Sequence, residues 1–143
     1  MSTAEHLELI RRWLAMADAG FSGSFEAFFA PHYTGHVSGR IHMDLAELER
    51  LERGFAVAFP DASRTVEDLW GEGDKVALRL TTRATHRGDF SGIGATGRRI
   101  VLTALVIYQI RDGRIVESWG ELDFAGLWRQ LTEAPAHGVA HAD

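Results

Sequence analysis

The stretch Arg99–Asp123, RIVLTALVIYQIRDGRIVESWGELD, decides the fold. Two apolar runs flank Asp112-Gly113, a dipeptide suited to the tight two-residue turn of a β-hairpin. If Arg111 pairs with Arg114, Val106 falls opposite Trp119, Ala104 opposite Glu121 and Leu102 opposite Asp123, all on one face. The other face carries Leu105, Ile107, Val116 and Leu122. Both faces are therefore substantially apolar, unlike a sheet with one side in water. A partner subunit is the economical cover for the second face, which predicts a homodimer or homotetramer built through the outer sheet face.

Outward from the hairpin, residues 75–87 alternate with Val76, Leu78, Leu80, Thr82, Ala84 and His86 on the inward side. A further strand is expected over 64–70, and Gly88 to Gly97 reads as a pocket-rim loop. Before Phe59-Pro60-Asp61 the period is helical. Ser2-Thr3-Ala4-Glu5 forms a capping box ahead of Leu7, Ile10, Leu14 and Ala17. Ser24 to Ala30 reads as a short second helix ended by Pro31, and Asp44 caps a third with Leu45, Leu48, Leu51 and Phe55 as its stripe. Helices first and strands second give an α+β fold: one domain over 1–132 with three N-terminal helices, then a flexible tail over 133–143.

At 143 residues there is one core and one pocket, and no room for a separate cofactor domain. No apolar run approaches a membrane span, and Met1 is followed by polar, acidic residues rather than a leader, so a cytoplasmic protein is expected. The net charge of -5 and the lack of a dense basic block argue against nucleic acid as a partner. Without cysteine there is no disulfide, thiolate nucleophile or zinc–thiolate site, and the sole lysine, Lys75, sits in a Gly-Glu-Gly-Asp-Lys turn unsuited to Schiff-base chemistry. Histidine and carboxylate spacing supports no metal site, and the glycines of Gly92–Gly97 match no phosphate loop. Neither metal nor cofactor is expected.

Acid–base chemistry remains. Trp119, Glu121 and Asp123 alternate on the last strand, and a carboxyl beside an indole and a second carboxyl should titrate high, as a general acid/base requires. Asp123 is equally credible as the N-cap of a helix beginning at Phe124, and Glu121 is the more structural of the two acids. His86 faces inward, where it could relay a proton or merely sit in the core.

Several segments together resemble the SnoaL-like polyketide cyclases of the nuclear transport factor 2-like superfamily. They are Phe59-Pro60-Asp61, Glu72 to Ala77, Thr85 to Phe90, Gly92-Ile93, Thr96-Gly97-Arg98, Asp112 to Trp119, Asp123, Gly126-Leu127 and Arg129-Gln130-Leu131. The resemblance implies a curved, mainly antiparallel sheet wrapped by helices into a cone, with an internal pocket for a small hydrophobic substrate. It also implies that Asp123 is the acid/base of an intramolecular aldol ring closure, assisted by His86 in the Thr-His-x-Gly match or, next, by His36 in the Tyr33–His36 match. Trp119, Glu121, Leu80, Phe55 and Tyr33 are then the expected substrate-binding residues. Relatives sharing this scaffold open epoxides, close pyrans, isomerise, dehydrate or hydroxylate, and a non-catalytic ligand-binding or dimerisation module is the alternative from another class.

Overall fold

The computed structural model describes residues 1–39 and 41–134. Residues 135–143 of the expected tail lie outside them. Helix α1, Thr3–Asp18, opens with the expected capping box: Glu5 N–H donates to Ser2 Oγ, and Ser2 N–H to the Glu5 carboxylate. Its Leu9, Ile10, Trp13, Leu14 and Ala17 are buried. Trp13 gathers the aromatic core, with the rings of Phe25 and Phe29 edge-on at 5.2 and 4.8 Å.

The second expected helix is not formed. Residues Phe25–Ala27 make a single 3-10 turn, and strand β1 runs over Phe29–Val37. Pro31, taken as a helix stop, lies inside that strand. It is tolerated because the pairing of β1 with its neighbour is irregular between Phe29 and Thr34, so no ladder bond is demanded at Pro31. A short strand β2, Ile41–Met43, folds back on β1, and helix α2, Leu45–Ala58, follows behind the Asp44 and Glu47 capping box. The four expected strands are β3 (Ser63–Glu72), β4 (Lys75–Thr85), β5 (Arg99–Arg111) and β6 (Arg114–Leu122), and helix α3 spans Phe124–Thr132. The α+β class stands, with three α-helices and a curled six-stranded sheet among the described residues. Two of these helices precede the long strands, and the third closes the described chain.

The sheet order is β2-β1-β6-β5-β4-β3, antiparallel except where β1 lies parallel to β6. The first turn of the hairpin is as expected: Asp112 (φ 52) and Gly113 (φ 76) both take positive φ, and Arg111 pairs with Arg114. One step later the register breaks. Ile110 pairs with Ile115, but Gln109 pairs with Glu117, leaving Val116 as the extra residue of a β-bulge. A one-residue slip sends every later side chain to the opposite face. Trp119 therefore lies opposite Ile107 rather than Val106, and Glu121 opposite Leu105 rather than Ala104. Ser118, Gly120 and Leu122 take the inner face, next to Tyr108, Val106 and Ala104.

The outer face carries an apolar row across the sheet: Trp70 pairs with Ala77, Ala77 with Ile107, and Ile107 with Trp119. Trp70, Leu105 and Ile107 remain 61%, 57% and 44% exposed, so a second apolar face is present and, among the described residues, uncovered, but Trp119 stands in it where Leu122 was expected, and Val116 is the bulge residue.

Candidate active site

Between the inner face of the sheet and helices α1 and α2 lies a cavity of about 150 Å³. Its wall is mostly apolar, with Trp13, Leu48, Phe55, Leu80 and Val106 among its members. One wall position, Gly120, carries no side chain; it pairs with Val106, and a Cβ there would meet Leu122 Cδ1 at 3.3 Å. Outside the lining, a Cβ at Gly35 would strike the Tyr33 hydroxyl, so this glycine makes room for that group.

Polar groups in the wall converge from separate elements, among them Glu52 from α2, Tyr33 from β1, Arg64 from β3, Thr82 from β4, Tyr108 from β5 and Ser118 from β6. The Tyr33 and Ser118 hydroxyls are 2.6 Å apart and buried. Glu52 stands on the same helical face as Leu48 and Phe55, which carries its carboxyl into the apolar interior. Burial raises its pKa from 4.5 to about 7, and the Arg64 guanidinium opposes the rise. Arg64 is held by Asp18 at 3.1 Å and lies over the Phe21 ring, so its own charge is compensated. Burial pushes Tyr33 up to about 12; its bond to Ser118 opposes this and the Glu52 charge adds to it. Tyr108 is raised by burial first, then by Glu52 and Tyr33. Near neutral pH the cavity thus holds one carboxyl divided between its two protonation states and two phenols that keep their protons.

Of the residues expected from sequence, Tyr33, Leu80 and Phe55 line this cavity. Trp119 and Glu121 do not, because the bulge at Val116 turns them to the outer face. Asp123 is exposed and outside the lining. Its carboxylate accepts the Gly126 N–H at 2.9 Å and caps α3, although its neighbours Leu122 and Phe124 both line the cavity.

His86 is fully buried but outside the lining, packed on the Phe59 ring at 5.4 Å. Thr96 N–H donates to its Nδ1, and among the described residues its Nε2 has no hydrogen-bond partner. His36 borders the cavity, yet its ring engages the outer side: it stacks on Trp119 at 5.6 Å, and its Nε2 lies 2.6 Å from Glu117. Among the described residues no group of three or more histidine and carboxylate side chains is placed to hold a metal ion. None of their helices is long and apolar enough to cross a membrane.

Glu52, Arg64, Tyr108 and Ser118 were not foreseen as site residues. Glu52 was detectable: it stands four residues after Leu48 and three before Phe55, a carboxyl within an apolar stripe.

Residues 7–131 match the family model of the SnoaL-like polyketide cyclases. AclR from Streptomyces galilaeus, a candidate hydroxylase, is 29% identical, with a TM-score of 0.86 over 94% of this chain and 85% of its own. TsrD from Streptomyces laurentii is also 29% identical, with a TM-score of 0.82 over 94% of this chain and 99% of its own. IdmH from Streptomyces antibioticus, a candidate polyketide cyclase, is 29% identical, with a TM-score of 0.76 over 87% and 96%. No curated protein matches significantly in sequence.

Proposed function

The chain belongs to the SnoaL-like polyketide cyclase family, and from that premise we propose that it closes a ring in a small polyketide-derived substrate by acid–base catalysis, with Glu52 as the proton shuttle. The supporting observation is the position of Glu52: a carboxyl with a pKa of about 7 inside an apolar cavity. In the proposed reaction the carboxylate removes a proton from a carbon flanked by carbonyls, and the C–H electron pair passes to a carbonyl oxygen as an enolate. The enolate carbon then attacks a second carbonyl of the same molecule, and the Glu52 acid returns the proton to the new alkoxide. Nothing is consumed, and no cofactor is called for. Positioned proton transfer contributes about 10²-fold to 10⁴-fold, and holding the chain folded against the walls adds an orientation term.

A second assignment gives the shuttle to Asp123. It is favoured by the placement of this residue between the lining residues Leu122 and Phe124, and it matches the role implied by the sequence resemblance. Turnover of a panel of polyketide methyl esters by Glu52→Gln and Asp123→Asn, each after exhaustive chelation, separates the two. Loss of most of the rate in Glu52→Gln alone supports the cavity carboxyl; loss in Asp123→Asn alone transfers the role. Full activity in both rejects carboxyl catalysis.

We propose further that the outer face pairs with a second copy. Charges of both signs flank its apolar row, Lys75 and Arg79 near Glu117 and Glu121, so the face is complementary to itself. Ile107→Arg should yield a folded monomer by light scattering; an unchanged mass would reject this interface.

A further inference from the structure

Three hydroxyls stand side by side on the inner wall. Ser118 on β6 pairs with Tyr108 on β5 and with Gly35 on β1, two residues after Tyr33. Tyr33 and Ser118 share one hydrogen bond of 2.6 Å, which uses one of their two protons and leaves the other to donate. Gly35 keeps the space that the Tyr33 hydroxyl occupies. Among the described residues the titratable and charged groups in this wall are Glu52, Arg64 and His36; the guanidinium is engaged by Asp18 and the Phe21 ring, and the His36 Nε2 by Glu117. Among those residues an anionic ligand would meet the Glu52 carboxyl without an unengaged cation to receive it.

Size narrows the choice further. A cavity of about 150 Å³ is the size that admits a benzene-like ring, whereas pockets for drug-sized ligands run from roughly 300 to 1,000 Å³.

We propose that Tyr33, positioned by Ser118, together with Tyr108 forms a hydrogen-bond donor site for the carbonyl or enol oxygen of an uncharged, one-ring-sized ligand, and that the cavity selects such a ligand over a carboxylate. This rests on the cavity being the reactive site as proposed above. The enolate oxygen formed when Glu52 takes the proton then lies against two neutral O–H donors, which stabilise charge where it develops. Because burial and the nearby carboxyl keep both phenols protonated, the donors persist across the neutral range.

The test is binding rather than turnover, with phenol, toluene and benzoate titrated by NMR at pH 8. Phenol should bind at least about tenfold more tightly than benzoate. Tyr33→Phe should weaken phenol by about threefold to tenfold, the worth of one hydrogen bond, and leave toluene unchanged. Ser118→Ala, which frees rather than removes the donor, should give a smaller loss, again without affecting toluene. Equal losses for phenol and toluene would show a packing role only, and benzoate binding as tightly as phenol would overturn the ligand class. The turnover of Glu52→Gln reports separately on the shuttle, so failure there with intact phenol selectivity rejects the acid–base assignment and leaves the donor site standing.

Discussion

Replacing Glu52 by Gln should make the protein more stable, and increasingly so as pH rises. In the unfolded chain this carboxyl ionises near 4.5, in the folded protein near 7. Between those values the folded state holds a proton that the unfolded state has lost. Stability from this group is therefore present below 4.5, falls as pH rises towards 7 and stays low above it. At about 1.4 kcal/mol per unit the difference comes to about 3 kcal/mol, an upper value because Glu52 keeps part of its surface exposed. Gln has nearly the shape of the protonated acid and does not ionise. The gap between Glu52→Gln and wild type should then be near zero at pH 4.5 and approach about 3 kcal/mol at pH 8, or roughly 10 °C in Tm for a chain of this size. Thermal melts at half-unit pH steps measure it. Parallel curves from pH 4.5 to 8 would show that Glu52 is hydrated and not set in an apolar wall, and the basis for its use as a shuttle would be lost.

Arg64 lowers the Glu52 pKa, so Arg64→Met should move the acidic limb of the kcat/KM profile to higher pH; an unmoved limb would mean that the two groups are not coupled. Asp123→Ala should cost about 0.5–2 kcal/mol in urea unfolding through loss of the α3 cap, while Asp123→Asn, itself a good cap, should cost much less. Deleting Val116 should remove the bulge and turn Ser118, Gly120 and Leu122 outward; unfolding, or loss of phenol binding, is the expected readout, and a stable binding-competent deletion would refute the register.

The long strands, the capping box of α1, the Asp44 cap of α2 and the two-residue turn were legible, because each depends on local chemistry. What escaped was the bulge. Ile115-Val116-Glu117 carries no glycine, and the extra residue is placed by cross-strand pairing rather than local preference. That one residue moved Trp119 and Glu121 away from the pocket and brought Ser118 in. Phe25 to Pro31 misled for a different reason. Its aromatic spacing suits a helix, but burial of Phe25 and Phe29 against Trp13 and the parallel pairing with β6 outweigh that preference.

Two glycines, Gly120 in the wall and Gly35 behind the Tyr33 hydroxyl, give this fold unequal routes for change. At Gly120 the one tight contact of an added methyl is the tip of the Leu122 side chain, which can swing aside, so Gly120→Ala should trim the chamber and leave its polar groups in place. At Gly35 the same methyl displaces the Tyr33 hydroxyl. Single substitutions at the first site should grade the space in the cavity; at the second they should disturb the hydroxyl pair of Tyr33 and Ser118. A lineage carrying this architecture can thus drift among substrates at one glycine while the other stays fixed.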